Sequence, residues 1–359
     1  MLGNTRSENA FFSAMEGFFL KAADKAGKVI ERDFLICERR LRVRFAGAAL
    51  IEPFTSAIEH LAAEAKGEKA DLTLCAWDSA STGIGLPPCP WPVSRIAADG
   101  CISGLDPDSW QAALQIEIGA MSLYDPERDL AFFRIGDAAA MPAREQASPF
   151  KAILNWWLRR FGLTMIHGAA VGNGSGAALI VGQSGSGKST ASLACLRGQM
   201  SFITDDRCLI SLQPGPTAFC IYNSAKLWPE QMERFPELLP WVDAVPSHEG
   251  KVVMFVRRMA PSPLAHELPI RVVLLAGIAA QPQTTLSATS PIRILRDLIP
   301  STFIYQPGAS AQEMRIMADL VRSVPCRRIH FGTDLDRIPA AIQLAIAEAC
   351  AKPGPEASS

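Results

Sequence analysis

Residues 182–189 read Gly-Gln-Ser-Gly-Ser-Gly-Lys-Ser, and this stretch constrains the chain more than any other. It fits the pattern G-x-x-x-x-G-K-[ST], in which glycines let backbone N–H groups turn inward around phosphate oxygens. The lysine of the pattern reaches the β- and γ-phosphates, and the serine hydroxyl binds Mg²⁺. An apolar run at 177–181 precedes the pattern, and a helix-forming run at 189–197 follows it. This context predicts binding of a nucleoside triphosphate with Mg²⁺, because the N-terminus of the helix favours the bound phosphate.

We expect ATP and Mg²⁺ as cofactors, with the phosphate contacts made by the loop and by the first turn of its helix. These residues are Gly182, Ser184, Gly185, Ser186, Gly187, Lys188, Ser189 and Thr190. A chance Gly/Ser-rich turn is the alternative, and the flanking strand and helix argue against it.

Two adjacent carboxylates, Asp205 and Asp206, close the apolar run at 200–204, which is typical of a strand after the helix of the loop. We expect this strand to lie next to the strand that feeds the loop. Its C-terminal end is then at the edge where ligands of such sheets gather. One carboxylate can hold Mg²⁺, and the other can take a proton from an attacking hydroxyl.

A further apolar strand is predicted upstream, at 164–171, and it carries His167. Asn173-Gly174 then predicts a hairpin turn into the strand that feeds the loop. This hairpin is unlike the usual parallel entry into a phosphate-binding loop.

The segment 164–212 resembles the catalytic core of HPr kinase/phosphorylase and its relatives, whose fold is similar to that of phosphoenolpyruvate (PEP) carboxykinase. The resemblance rests on three motifs in the same order, which are His167-Gly168, the 182–189 loop and Asp205-Asp206-Arg207. The chain is similar to diverged bacterial serine kinases of the HPr type, which include kinases associated with lasso-peptide biosynthesis. The resemblance implies an α/β fold with a PEP-carboxykinase-like P-loop kinase core, a mixed sheet and an N-terminal α+β accessory domain.

A second signature of true HPr kinases, Leu-Glu-x-Arg-Gly-Leu-Gly, is absent from the sequence. Arg-Gly occurs at Arg197-Gly198 alone, within the helix that follows the loop. This departure argues against HPr as the substrate and against the reverse phosphorylase reaction. Kinase chemistry is less affected, because its core residues are present.

The resemblance also implies a role for each polar residue of the three motifs. Asp205 is assigned as the base that accepts the proton of the substrate hydroxyl. Asp206 and Ser189 are assigned as ligands of Mg²⁺, and the reverse order of the two aspartates stays open. Lys188 and His167 complete the catalytic set. A histidine on an apolar strand is more often a core residue, and the functional alternative for His167 is to hydrogen-bond the aspartate pair or tune its pKa.

Three cations further along the chain, Lys251, Arg257 and Arg258, are candidates for contact with the transferring phosphoryl group. Positive charge at that point strongly stabilises phosphoryl transfer. The alternative, favoured for each of them, is that they are solvated ends of a strand or hairpin.

Charge and apolar patterning argue against several other classes of protein. The formal net charge is −1 at pH 7 and no dense basic run occurs, so nucleic acid is not an expected partner. The longest apolar stretches run about ten residues, and a membrane span needs about 20. The nine cysteines form no C-x-x-C, which indicates reduced thiols and a cytoplasmic location.

The length of 359 residues allows two domains with full cores. We place an accessory, substrate-recognition domain at 1–145, the P-loop catalytic domain at 146–350 and a disordered tail at 351–359. Apolar residues recur at helical spacing across 11–19 and predict an amphipathic helix that packs on its own domain.

Three functions fit these features. The function favoured by the resemblance is a kinase that transfers the γ-phosphoryl group of ATP to a serine-type hydroxyl of a peptide or protein. The alternatives are a small-molecule hydroxyl kinase on the same scaffold and a nucleotide-binding regulatory module with little catalysis. The expected partner is a peptide or protein that carries a Ser hydroxyl, and assembly into a homo-oligomer stays open.

Overall fold

The computed structural model describes residues 2–65, 67–105, 110–243, 250–259, 261, 263–304, 308 and 310–351. Over these residues the chain is a mixed α/β protein with three sheets, and it divides into two compact units. The units are Met1–Arg160 with Gln306–Gly308, and Phe161–Tyr305 with Ala309–Ser359. The tail expected at 351–359 lies outside the described residues except for Ala351, which ends a helix.

The first unit is built on one seven-stranded sheet in the order β3-β1-β2-β4-β7-β6-β5. The strands are β1 (Val29–Ile36), β2 (Arg39–Ala46), β3 (Ala62–Ala63), β4 (Leu72–Asp78), β5 (Gln111–Gln115), β6 (Ala120–Asp125) and β7 (Leu130–Ile135). The helices are α1 (Leu2–Lys25), α2 (Ile51–Thr55), α3 (Ser79–Thr82), α4 (Ala143–Gln146) and α5 (Lys151–Leu158). Strands β2, β4 and β7 are parallel at the centre, and the other pairs are antiparallel.

Helix α1 covers this sheet with the apolar stripe expected from the sequence. Phe12, Met15 and Phe19 are buried in one cluster with Trp77 and Phe132. The ring centroids of Phe12 and Phe132 lie 5.2 Å apart in an edge-to-face arrangement, which aromatic rings prefer. The predicted amphipathic helix that packs on its own domain is therefore confirmed.

The first unit extends beyond the expected boundary at 145. Helix α5 packs against β6, a strand of the first sheet. Its residues Ile153, Leu154 and Trp157 are fully buried. The division between the units consequently falls after Arg160.

The second unit contains a nine-stranded sheet and a small three-stranded sheet in the order β14-β16-β15. Its strands are β8 (Thr164–His167), β9 (Ala169–Asn173), β10 (Gly176–Val181), β11 (Ser201–Thr204), β12 (Arg207–Ser211), β13 (Thr217–Phe219), β14 (Ser224–Leu227), β15 (Val242–Asp243), β16 (Val252–Phe255), β17 (Glu267–Ile278), β18 (Thr285–Ala288) and β19 (Cys326–Phe331). Its helices are α6 (Lys188–Arg197), α7 (Pro229–Met232), α8 (Pro291–Ile304), α9 (Ala311–Ser323) and α10 (Arg337–Ala351).

The large sheet runs in the order β11-β9-β10-β17-β13-β12-β8, with β19 also paired to β17 and β18 paired to β19. The pairs β10–β17 and β17–β19 are parallel, and the other pairs are antiparallel. Helices cover both faces of its centre. Along β10, Ala178 and Ile180 pack in one cluster with residues of α6 and α10, whereas Leu179 and Val181 pack in another with residues of α8 and α9.

The predicted hairpin before the loop is confirmed, since β9 and β10 are antiparallel with Asn173 opposite Gly176. The strand expected at 164–171 is divided at Gly168, because β8 pairs with β12 and β9 pairs with β10. The expectation that β11 borders β10 is wrong, because β9 lies between them. Strands β10 and β11 are both antiparallel to β9 and therefore end at the same edge of the sheet.

Within the described residues, no helix has both the length and the apolar character that crossing a bilayer would require.

Candidate active site

The 182–187 loop connects β10 to α6, so the strand–loop–helix order expected from the sequence is present. Gly182 and Gly187 have φ of 148° and 92°, in the region that favours glycine. A Cβ atom on Gly187 would lie 3.1 Å from the ring of Phe331, and one on Gly182 would lie 2.9 Å from the Ser186 hydroxyl oxygen. The positive φ therefore favours glycine at both positions, and an added Cβ would in addition be crowded.

Lys188 is the first residue of α6, and its side chain folds back over the loop. Its Nζ donates to the carbonyl oxygens of Gly182 at 2.7 Å and Gln183 at 3.0 Å. Burial lowers the pKa of Lys188, and the neighbouring carboxylates of Asp205 and Asp206 oppose this shift. The ammonium group is thus held between the loop and the aspartate pair.

Asp205 lies between β11 and β12 and is 1% exposed. Its Oδ1 accepts from the Ser192 hydroxyl at 3.1 Å, and its Oδ2 accepts from the backbone N–H of Lys226 at 3.0 Å. Burial raises the pKa of Asp205, while the Lys226 N–H and a side-chain hydrogen bond from Ser189 favour its ionised form. Asp205 is therefore tied to the first turns of α6, beside the serine of the loop motif.

Asp206 has a different environment, although it is the next residue. Its carboxylate lies 2.9 Å from Lys226 Nζ, 3.4 Å from His167 Nδ1 and 3.6 Å from Arg207 Nε, and its side chain is 22% exposed. Burial alone would raise the pKa of Asp206, but the charges of Lys226 and Arg207 outweigh it and hold the pKa well below its usual value. Asp206 is therefore an ionised carboxylate at neutral pH.

His167 ends β8, opposite Arg207 in the β8–β12 pair. Its backbone N–H donates to the Thr302 hydroxyl of α8 at 3.1 Å. Burial lowers the pKa of His167 to about 3, against the opposing effect of Asp206. The ring is therefore neutral at pH 7 and lies beside Asp206 without adding charge.

These groups line one cleft of about 170 Å³, together with the loop. Its polar part includes His167, Ser189, Asp205, Asp206, Lys226 and Lys251, and its apolar part includes Trp228, Ile278, Phe331, Leu335 and Ile338. A cleft with an apolar wall and a few convergent polar groups is typical of small-molecule sites.

The predicted site residues mostly meet in this cleft. His167, Ser184, Gly185, Gly187, Lys188, Ser189, Thr190 and both aspartates line it. Lys251 also lines it, with Nζ 5.1 Å from the centre of the Trp228 ring. Arg257 and Arg258 are not among its lining residues, and the Arg258 guanidinium lies 4.8 Å from the centre of the Phe255 ring.

Sequence reasoning missed Lys226, which contacts both aspartates. It reaches them from β14, in the small sheet, and no local pattern marks it. Trp228 and Gln231 also line the cleft and were missed because no local pattern marks them. The Gln231 amide donates to the Thr190 hydroxyl at 3.2 Å.

Comparison with known proteins gives little further information. No protein-family model matches the chain, and no curated protein matches it. Among solved structures, the Hpr(Ser) kinase/phosphatase from Coxiella burnetii is similar at 10% sequence identity and a TM-score of 0.28. The similarity covers 52% of this chain and 95% of that one. At this TM-score the likeness is a distant structural relationship, and it carries no functional argument.

Proposed function

We propose that the protein is an ATP-dependent kinase that transfers the γ-phosphoryl group to a serine-type hydroxyl of a peptide or protein. One observation carries this proposal. The glycine-rich loop with Lys188 and Ser189 shares a single cleft with His167 and the adjacent pair Asp205 and Asp206, which come from two other points of the chain. Phosphate-binding groups and a candidate proton acceptor are the two parts that phosphoryl transfer to a hydroxyl needs.

The donor set of the cleft fits a magnesium nucleotide. Mg²⁺ is usually held by one or two protein oxygens together with phosphate oxygens and water. In the described part of the chain no group of three or more His, Cys, Asp or Glu could hold a metal alone. The Ser189 hydroxyl and the Asp205 carboxylate, which both line the cleft, form the pair suited to the ion. When bound, Mg²⁺ would offset the charge of the β- and γ-phosphates.

The geometry supports the reverse order of the two aspartates from the one assigned on the resemblance. Asp205 is held by the Ser192 hydroxyl of α6 and by the Lys226 backbone N–H, which suits a metal ligand. Asp206 is 22% exposed and lines the cleft that would receive the hydroxyl. We therefore assign Asp206 as the residue that orients the substrate hydroxyl and accepts its proton, and Asp205 as the metal ligand.

In the proposed reaction, the serine oxygen forms a bond to the γ-phosphorus while the bond from this phosphorus to the β–γ bridging oxygen breaks. The hydroxyl proton goes to Asp206, and ADP leaves. Because the pKa of Asp206 is low, proton transfer occurs late, after most of the bond to the leaving group has broken. Lys188 and Lys226 supply positive charge on the two sides of the aspartate pair, and neutral His167 positions Asp206.

The experiment that tests this function is transfer of label from γ-labelled ATP with Mg²⁺ into an extract of the source cell, for wild type and Lys188→Ala. We expect label in a discrete peptide or protein, and loss of that label in the variant. Label in small molecules alone would support the metabolite kinase instead. Tight ATP binding with no transfer would support the regulatory module.

A further inference from the structure

A second cavity adjoins the cleft and shares Ser184, Gly185 and Ile278 with it. It has a volume of about 390 Å³, and it is lined by Gln183 to Ser186 of the loop, by Ile278 and by four charged residues. These are Arg293, Arg296 and Asp297 of α8 and Arg328 of β19. Neither Lys188 nor Ser189 lines it, although Ser184, Gly185 and Ser186 of the loop do. We name it the arginine cavity.

The arginine cavity holds three guanidinium groups against one carboxylate. Among the described residues, Arg293, Arg296 and Arg328 have no ion-pair partner, and the buried Nε of Arg328 has no hydrogen-bond acceptor. Asp297 instead accepts a long hydrogen bond, 3.4 Å, from the Gln183 amide. The neighbouring Arg327, by contrast, is paired with Glu348 at 2.6 Å. A cavity with unpaired arginines is suited to an anionic group, because guanidinium binds carboxylate in a bidentate manner.

Helix α8 links the arginine cavity to the catalytic groups. Its first turns carry Arg293 and Arg296, and its Thr302 hydroxyl accepts the backbone N–H of His167, which lies beside Asp206. At a rise of 1.5 Å per residue, the two arginines are about 9 to 14 Å from Thr302 along the helix axis. An extended peptide covers that distance with about three or four residues.

The arginine cavity is open to solvent. Arg293 and Arg296 are exposed, and Ile278, which lines both this cavity and the cleft, is 66% exposed. An open positively charged surface that continues into the cleft suits an extended chain better than a small metabolite, which is usually enclosed.

We propose that the arginine cavity binds acidic side chains of the peptide or protein that supplies the hydroxyl, about three or four residues from the accepted serine. This inference rests on the proposed kinase function and names its substrate class. Acidic residues at that spacing would direct one serine among many to the cleft.

Binding of two labelled peptide pools to the full-length protein tests the inference without any need for catalysis. Both pools have a fixed central Ser and degenerate uncharged positions. One pool carries Glu at the third and fourth positions on either side of the Ser, and the other carries Gln there. In fluorescence anisotropy without nucleotide, we expect the Glu pool to bind wild type about tenfold more tightly or better. The preference should weaken as salt is raised.

The double variant Arg293→Gln/Arg296→Gln should lose this preference and still bind MgATP in calorimetry. Arg328 is left unchanged, because its partly buried side chain lies in β19 and its loss could disturb folding. The matched control is Arg315→Gln/Arg322→Gln, which removes the same charge from exposed positions on α9. It should keep the full preference for the Glu pool.

The outcomes separate this inference from the proposed function. Equal binding of both pools by a wild type that binds MgATP would overturn the inference alone. Loss of MgATP binding in Arg293→Gln/Arg296→Gln would also overturn it, since the arginines would then serve the nucleotide. A preference for the Glu pool in a protein that fails to bind MgATP would support the acidic-peptide site and contradict the kinase function.

Discussion

At the residue scale, the aspartate pair shows how two identical neighbouring side chains acquire different chemistry. Asp205 is buried against α6 and has a raised pKa, whereas Asp206 contacts two cations and has a lowered pKa. Groups whose environments push their pKa values apart are typical of acid–base sites. The decisive contact is Lys226, whose backbone N–H binds one aspartate and whose ammonium binds the other.

Asp205→Asn tests the metal assignment. We expect ATP affinity measured with Mg²⁺ to fall at least about tenfold, since a charged metal ligand is lost. Affinity measured without Mg²⁺ should change little. Calorimetry with and without Mg²⁺ gives both values, and an equal loss in the two conditions would argue against Asp205 as a metal ligand.

His167 predicts a dependence of stability on pH. Its folded pKa of about 3 lies below the unfolded value of 6.5. The unfolded state therefore binds a proton first as pH falls, and stability is lost from about pH 6.5 downward. Between pH 7 and pH 5 this loss is about 2 kcal/mol for one group.

Urea unfolding at pH 7 and pH 5 measures this loss. In His167→Gln the decrease in the free energy of unfolding between the two pH values should be smaller than in wild type by about 2 kcal/mol. The control is His330→Gln, a partly exposed histidine of β19. Identical pH dependence in wild type and His167→Gln would show that the imidazole is not held neutral.

At the element scale, the sequence was sufficient to predict the loop, the strand and helix on either side of it, and the hairpin before it. These depend on local patterns, which are a glycine-rich motif, an apolar run and Asn173-Gly174. The place of β11 was mispredicted because strand order depends on long-range pairing, and the hairpin inserts β9 beside β10. The apolar wall with Phe331 and Leu335, from the end of the chain, and the arginines of α8 could not be assigned to the site for the same reason.

Gly187→Ala tests the geometry of the loop element. Alanine there must adopt a φ of 92° with its Cβ against the Phe331 ring, so we expect a loss of about 1–3 kcal/mol of stability and weaker MgATP binding. Gly174→Ala, in the hairpin turn with nothing within 4 Å of the added Cβ, is the control. Equal stability and MgATP affinity for the two variants would contradict the described loop conformation.

At the scale of the whole molecule, each unit has its own apolar core. The α1 cluster lies in the first unit, and the clusters on either face of β10 lie in the second. Domains with separate cores can unfold in separate transitions. The candidate catalytic residues all belong to the second unit.

Calorimetry of the full chain should show this division. Met15→Ala removes a fully buried side chain of α1. It should lower the free energy of unfolding of the first unit by about 2–5 kcal/mol and so lower the temperature of one unfolding transition. MgATP should raise the temperature of the other unfolding transition, that of the second unit, and leave the transition of the first unit unchanged. A single transition that responds to both Met15→Ala and MgATP would show that the two cores unfold together.

The central claim is that Asp206 receives the hydroxyl proton in a cleft that binds MgATP. The most direct measurement is the rate of label transfer from γ-labelled ATP to the acceptor, at saturating MgATP, for wild type and Asp206→Asn. We expect the variant to lose about 10²-fold or more in rate while it binds MgATP normally, because Asp205 and Ser189 are intact. Near-normal transfer by Asp206→Asn would contradict the claim.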